Sequence, residues 1–112
     1  MKVNKGSGRR YSWGGNCDGW HLVETESLSV IEERIPVGGG EVLHYHDRAQ
    51  QFFYILDGVA TFEMDGIETV MGKGDGCHVR PGARHRIRNL GSEDLQFLVV
   101  SQPRSHGDRV NV

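Results

Sequence analysis

The chain has 112 residues, 37% of them hydrophobic, which suits one domain with one core rather than two. Its formal charge is only −2 and no basic cluster alternates with aromatic residues, so we expect no nucleic-acid partner. No apolar run reaches the roughly 20 residues of a membrane helix, and the polar first residues lack the apolar centre of a signal peptide. These features predict a cytoplasmic protein of one domain, residues 1–112, without a membrane partner. The small size also favours a homodimer.

The first part of the chain predicts a flexible arm followed by two short strands. Residues 1–10 are rich in Gly, Lys and Arg and read as the arm. The segments YSW and WHLV flank the loop GGNCDG and predict the two strands. Trp13 and Trp20 on them are expected to pack on a barrel wall or on a second subunit.

The segment LSVIEERI, residues 28–35, predicts a longer strand with two different faces. Side chains alternate along a strand, so either face could line the interior. One face carries Ser29, Ile31, Glu33 and Ile35, and the other carries Leu28, Val30, Glu32 and Arg34.

The rest of the chain continues as short strands separated by turns. Asp57-Gly58 and Asp65-Gly66 are hairpin signals, and further glycine-containing turns follow. Residues 103–112 read as a tail, which could fold over a barrel mouth, although short polar tails are more often exposed. About ten strands without any helical period predict an all-β sandwich or antiparallel barrel.

Two histidines organise the centre of the chain. His44 and His46 are separated by one residue and therefore share a strand face, and Gln51 enters the next strand within reach of them. His85 follows a Pro-Gly turn and begins another strand. Imidazoles are the commonest metal ligands, and a curled sheet would bring these donors together around one divalent ion. His21, His78 and His106 are expected to be ordinary, partly exposed histidines.

The two stretches that hold these donors resemble the two cupin motifs. In residues 38–58, Gly38, His44, His46 and Gly58 match the first motif, with Gln51 where that family usually has Glu. In residues 74–89, matches to the second motif are found at Gly74, Gly82, His85 and Asn89, with Arg80 replacing a proline. The resemblance implies a cupin barrel, a double-stranded β-helix of jelly-roll type, with a metal held by His44, His46, Gln51 and His85.

Gln51 bears on the chemistry of such a site. An amide donates a carbonyl oxygen but no charge, so the ion keeps its full positive charge, which favours the divalent state and anionic, chelating ligands. The HxH-x4-Q spacing resembles small cupins that act on unsaturated uronate sugars, in which the metal polarises a substrate oxygen. We therefore expect Lewis-acid isomerisation or hydration of a small sugar acid or sugar derivative. A metal-dependent dioxygenase and a non-catalytic small-molecule binder are the alternatives, and nickel, zinc, manganese, iron and copper all suit the donors.

Catalysis would also need a proton carrier and groups that hold the substrate. The proton-carrier candidates are Glu32, Glu33 and Tyr54. The substrate-binding candidates are Arg34, Phe53, Phe62, Arg80 and Arg84. Cys17 and Cys77 lack the spacing of a disulfide framework and are expected to be unpaired thiols, with Cys77 a less favoured neighbour of the metal.

Overall fold

The computed structural model describes residues 1–105 and 107–112, and all the regular structure in these residues is β-strand. None of the described residues forms a helix that would be long and apolar enough to pass through a membrane. The strands are β1 (Arg9–Trp13), β2 (Cys17–Glu24), β3 (Ser29–Ile35), β4 (His44–His46), β5 (Gln50–Asp57), β6 (Ala60–Met64), β7 (Ile67–Met71), β8 (Gly76–Val79), β9 (His85–Arg88), β10 (Leu95–Gln102) and β11 (Arg109–Asn111).

The strands form two sheets that face each other. One sheet has six strands in the order β1-β2-β3-β10-β5-β8, and the other has five in the order β11-β4-β9-β6-β7. The strand pairs are antiparallel in both sheets. This architecture confirms the predicted all-β antiparallel barrel.

The core lies between the sheets and is built by strand alternation. Every second residue of β3, β5, β9 and β10 is buried, and their neighbours face outward. Each fully buried large apolar side chain contributes about 1.5–3 kcal/mol relative to an exposed one. The largest of them are Phe53, Phe62, Phe97, Ile35, Ile55, Ile87 and Leu95.

The orientation of strand 28–35, which the sequence left open, is resolved by burial. Ser29, Ile31, Glu33 and Ile35 face the interior, and the alternate residues are more exposed. One carboxyl group, that of Glu33, is therefore carried into the barrel, while Glu32 and Arg34 stay on the outer surface.

One of the two predicted hairpins exists. Asp65 and Gly66 have φ angles of 51° and 83° and join β6 to β7, which pair with each other. Positive φ at both positions is what a tight hairpin of this kind needs. The Asp57-Gly58 hairpin is wrong, because β5 pairs with β10 and β8 while β6 pairs with β7 and β9. That turn carries the chain from one sheet to the other.

Both ends of the chain are more ordered than expected. β1 starts at Arg9, inside the predicted arm, and pairs with β2. In the predicted tail, Arg109–Asn111 pair with His46–His44, so this backbone extends the five-stranded sheet. The tail is not a free polar end, because its amide and carbonyl groups complete the edge that β4 would otherwise leave open.

Candidate metal centre

Strand register brings the three histidines of the motifs together. His44 on β4 is directly opposite His85 on β9, and His46 lies two residues along on the same face as His44. All three side chains are buried, and one ligand atom from each lies within 4.8 Å of the others. The sequence prediction that these imidazoles converge is confirmed by the structure.

Backbone carbonyls fix the orientation of two of the rings. Nδ1 of His44 lies 2.8 Å from the carbonyl oxygen of Val42, and Nδ1 of His85 lies 2.9 Å from that of Ala83. A carbonyl oxygen only accepts hydrogen bonds, so each Nδ1 carries the proton and donates it. Nε2 of each neutral ring is then an unprotonated lone-pair donor, the form that binds a metal.

Gln51 completes the donor group from the opposite sheet. It is opposite Ser101 in the pairing of β5 with β10, and its Nε2 donates to Ser101 Oγ at 2.9 Å. This bond turns its Oε1 toward Nε2 of His85, 3.0 Å away. With His85 neutral, two lone pairs face each other across that distance. A cation placed beside both would satisfy them, so the residues present fit a metal ion.

Burial keeps the imidazoles neutral. Removal from water lowers the pKa of His44 to about 3 and that of His46 to about 4, and it lowers the pKa of His85 as well. Part of this apolar cover comes from Phe53 and Phe62, whose rings lie 5.8 and 6.1 Å from the His85 ring. At neutral pH protons therefore do not compete for these nitrogens. We call His44, His46, Gln51 and His85 the donor cluster.

A cavity of about 310 Å³ opens onto the donor cluster. His44, His46 and Gln51 lie on one side of it, and Phe53, Trp13, Ile31 and Val99 supply apolar surface. The remaining polar lining includes four side chains that we call the polar wall: Tyr11, Glu33, Glu41 and Arg109. The volume is at the lower end of the range for small-molecule sites.

A glycine lets the first two members of the polar wall meet. Tyr11, Gly19 and Glu33 are in register across β1, β2 and β3, and the Tyr11 hydroxyl donates to Glu33 Oε2 at 2.8 Å. A Cβ at position 19 would lie 2.2 Å from the Tyr11 ring, so only glycine leaves room for the ring to cross β2.

The two carboxyl groups of the polar wall retain protons to unusually high pH. Burial, with a contribution from the nearby Glu41, raises the pKa of Glu33 to about 8. Burial also raises the pKa of Glu41 to about 7, against the opposing effects of Arg109 and of the hydrogen bond from the Ile87 amide. Near neutral pH, Glu33 is thus a carboxylic acid that faces the same cavity as the imidazoles.

Of the predicted proton carriers, Glu33 alone lines the cavity. Glu32 faces outward and pairs with Lys5 at 3.3 Å, and Tyr54 is on the exposed face of β5. Both placements follow from strand alternation, which puts residues next to inward-facing positions on the outside. Glu32 and Tyr54 therefore do not line this cavity.

Of the predicted substrate-binding residues, Phe53 lines the cavity and the other four do not. Phe62 is core that packs behind His85. Arg34 pairs with Asp18 and Asp94 on the outer surface, Arg80 pairs with Asp65, and Arg84 is exposed. These three arginines do not line the cavity. The sequence contained no signal for Tyr11 or Glu41, while Arg109 was placed in the tail without a role.

His21, His78 and the two cysteines do not line the cavity at the donor cluster. His78 is exposed and lies 2.9 Å from Gln50 Oε1, as expected for a surface residue, but His21 is buried and its ring packs on Tyr11. His106 lies outside the described residues. Cys17 and Cys77 are both unpaired, which confirms that prediction, and neither lines the cavity.

Comparison with known proteins settles the family. The model of the cupin domain matches residues 31–101, more than half of the chain. The chain belongs to the cupin family. Both motifs, and with them the whole donor cluster, lie inside the matched residues.

Two relatives and one solved structure are similar to this cupin. An uncharacterized protein of Methanocaldococcus jannaschii is 35% identical over 81 residues, which cover 71% of this chain and 65% of that protein. An oxalate-binding protein of Thermotoga maritima is 36% identical over 91 residues, covering 77% of this chain and 75% of that protein. The crystal structure of a predicted oxalate decarboxylase from T. maritima has a TM-score of 0.83 at 27% identity, covering 93% of this chain and all of that one.

Proposed function

We propose that this cupin binds one divalent transition-metal ion through His44, His46, Gln51 and His85 and uses it on a small carboxylate-bearing molecule. The class that fits best is a sugar acid or a related hydroxy or keto acid, which would undergo isomerisation or hydration. The observation that carries the proposal is the convergence of the three neutral imidazoles and the Gln51 oxygen on the floor of a cavity whose wall holds a protonated carboxyl group.

The charge of the donor cluster supports an anionic ligand. The three imidazoles and the amide are all uncharged, so they leave the charge of a bound ion undiminished. When bound, such an ion supplies Lewis acidity and makes a coordinated water more acidic. An oxygen-rich anion is the ligand that this arrangement favours.

The polar wall provides the proton handling that an isomerase or hydratase needs. Glu33 holds a proton on its carboxyl group near neutral pH, and the Tyr11 hydroxyl fixes the position of Oε2. A carboxyl group with a pKa near the working pH can both donate and accept a proton at a substrate carbon or oxygen. Phe53 and Trp13 cover this end of the cavity with apolar surface.

A second candidate function is non-catalytic binding of a small carboxylate. It is supported by the T. maritima relative at 36% identity, which is named for binding oxalate. Both candidate functions use the same donor cluster. They are distinguished by whether Glu33 is needed, because only turnover requires a proton carrier.

Metal analysis tests the proposal directly. We expect near-stoichiometric nickel, zinc or manganese in protein purified without added metal, and loss of that metal in His46→Ala. The matched control is His78→Ala, because His78 is exposed and outside the cavity. A metal content near zero in the unmodified protein that added metal does not restore would overturn the proposal. Bound iron with oxygen uptake would move the assignment to a dioxygenase.

Turnover is tested on the metal-loaded protein with a panel of uronates and small hydroxy acids, followed by proton NMR. Loss of turnover in Glu33→Gln with unchanged metal content would support the enzyme. Tight oxalate binding that is equal in Glu33→Gln, without turnover of any panel member, would support the binder.

Three further properties remain predictions from size and composition. We propose a homodimer, and the exposed Phe52 and Tyr54 on the outer face of β5 offer apolar surface for it. Sedimentation at micromolar concentration with only the 12.5 kDa species present would contradict a dimer. A cytoplasmic location and the lack of nucleic-acid and membrane partners follow from the charge and hydropathy of the chain and await direct tests.

A further inference from the structure

Arg109 is placed at the donor cluster by the last strand of the fold. It is opposite His46 in the pairing of β11 with β4, and it lines the cavity together with His44, His46, Glu33 and Glu41. It is the single arginine or lysine among the described residues that line this cavity. The strand that presents the two motif histidines therefore also has a cationic neighbour.

The backbone around Arg109 is held firmly. The Asp108 carboxylate accepts hydrogen bonds from the Arg48 and Ala49 amides, both at 2.9 Å, in the loop that leads from His46 to Gln51. The Val112 amide donates to the Leu43 carbonyl at 3.0 Å on the other side. These bonds tie β11 to the segment that carries His44, His46 and Gln51, so the backbone of Arg109 has a defined position beside the cavity.

Arg109 forms no ion pair within the described part of the chain. Its side chain donates from Nε to Asn111 Oδ1 at 2.9 Å, and no carboxylate of a described residue lies within ion-pair distance of it. Its field nevertheless reaches into the cavity, where it lowers the pKa of Glu33, Glu41 and all three clustered histidines. Glu33 is largely protonated near neutral pH, and Glu41, with a pKa of about 7, offsets this positive charge only in part.

A guanidinium group of this kind is well suited to bind a carboxylate. Arginine presents parallel N–H donors that match the two oxygens of a carboxylate, and such charge-assisted bonds are stronger than neutral ones. The donor cluster already provides for oxygens that chelate a metal. The cavity thus has two separate positions for oxygen groups, one at the donor cluster and one at Arg109.

We propose that Arg109 binds a ligand carboxylate that lies apart from the oxygens held at the donor cluster, and so selects acids over neutral sugars of the same shape. The inference rests on the proposed function and assigns recognition of the ligand carboxylate to one residue, Arg109. Arg109 is a specificity residue in this scheme, and Asp108 is a positioning residue that acts through it.

The test compares galacturonate with galactose, which differ at the carboxylate, by titration calorimetry on metal-loaded protein. We expect galacturonate to bind at least tenfold more tightly than galactose. Arg109→Gln should reduce galacturonate affinity by about 10-fold to 100-fold and leave galactose affinity within about twofold. Arg109→Lys should fall between, because lysine keeps the charge without the paired donors.

Arg84→Gln is the matched control, since Arg84 is exposed and does not line the cavity. Equal binding of both sugars to the unmodified protein, no binding of galacturonate, or equal losses for both sugars in Arg109→Gln would each overturn the inference. The metal content of the same protein distinguishes failure of the inference about Arg109 from failure of the proposed function. Unchanged metal in a protein that does not discriminate the two sugars defeats the role of Arg109 alone, whereas absence of metal defeats the proposed function.

Discussion

The donor cluster and the polar wall face the same cavity, but burial acts on them in opposite directions. In the donor cluster it lowers the pKa values of the histidines and keeps the imidazoles free of protons. In the polar wall it raises the pKa values of Glu33 and Glu41, so that these carboxyl groups retain their protons to higher pH than usual. Both effects have one cause, which is that a low-dielectric interior disfavours the charged form of any group.

This difference assigns separate tasks to the two sides. Unprotonated imidazoles are available to a cation at neutral pH, whereas protonated carboxyls are available for proton transfer and do not repel an anion. Arg109 adds positive charge on the wall side. These properties support the proposed cation at the donor cluster and the proposed anionic ligand beside the polar wall.

The largest expected effect comes from Glu33→Gln, which removes a titrating carboxyl group from the polar wall. The pKa of Glu33 is about 8 in the folded protein against an ordinary value of 4.5. Between these pH values Glu33 binds a proton in the folded state that it lacks in the unfolded state, so its contribution to the free energy of unfolding falls as the pH rises. The three histidines, whose pKa values are lowered, contribute in the opposite direction below pH 6.5, so the Glu33 contribution is read from the difference between the variant and the unmodified protein. Each pKa unit corresponds to about 1.4 kcal/mol, which makes the loss several kcal/mol across the window. Glu33→Gln should remove this slope.

Urea unfolding of metal-free protein at several pH values between 5 and 8 measures this pH dependence of the free energy of unfolding. The stability difference between Glu33→Gln and the unmodified protein should shift in favour of the variant as pH rises. Glu32→Gln is the control, because Glu32 faces outward beside Lys5 and should give a nearly constant difference. Parallel curves for Glu33→Gln would mean that Glu33 ionises at its ordinary pKa, and the contrast between the two sides would fail.

The donor cluster could be predicted from the sequence because two of its members are local to one strand and the others lie at positions marked by the cupin motifs. Two histidines at alternate positions share a face in any strand, and the spacing of the motifs fixed where Gln51 and His85 would return. The inward face of β5, with Gln51, Phe53 and Ile55, followed from the same alternation.

Apart from Glu33, which was a candidate, the polar wall could not be predicted because it depends on pairing between distant segments. Tyr11 reaches Glu33 because β2 places Gly19 between them, and Arg109 reaches the cavity because β11 pairs with β4. No periodicity in a single strand reports which strands will be neighbours. The choice between the two faces of β3 was open for the same reason, as was the actual route of the chain after Asp57.

A smaller effect is expected when the uncharged character of the donor cluster is changed. Gln51→Glu places a carboxylate next to His85, where the amide oxygen now lies 3.0 Å from Nε2. A carboxylate adds negative charge at the ion, so metal affinity should rise about tenfold or more and affinity for oxalate should fall about tenfold. Metal competition with a chelator and oxalate titration of the loaded protein measure these two quantities.

Gln50→Glu is a close control for this substitution. It makes the same chemical change at the neighbouring residue, whose side chain is exposed and bonds to Gln102 outside the cavity. Comparable changes in both variants would show that general charge, rather than charge in the donor cluster, controls binding. No change in either variant would show that Gln51 is not a ligand.

The smallest expected effect tests whether Tyr11 and Glu33, two members of the polar wall, act together. Tyr11→Phe removes the hydroxyl that donates to Glu33 Oε2 at 2.8 Å. One such bond contributes about 1 kcal/mol when the acceptor is neutral and about 1.5–3 kcal/mol when it is charged. The bond also lowers the Glu33 pKa, so its loss should raise that pKa further. The cost of Tyr11→Phe should accordingly be larger at pH 9 than at pH 5, and it should shrink when Glu33→Gln is already present.

Tyr54→Phe, on the exposed face of β5, should cost less and show no such dependence on pH. If Tyr11→Phe costs the same at both pH values and is additive with Glu33→Gln, the ring of Tyr11 is packing only, and Glu33 keeps its proton through burial alone.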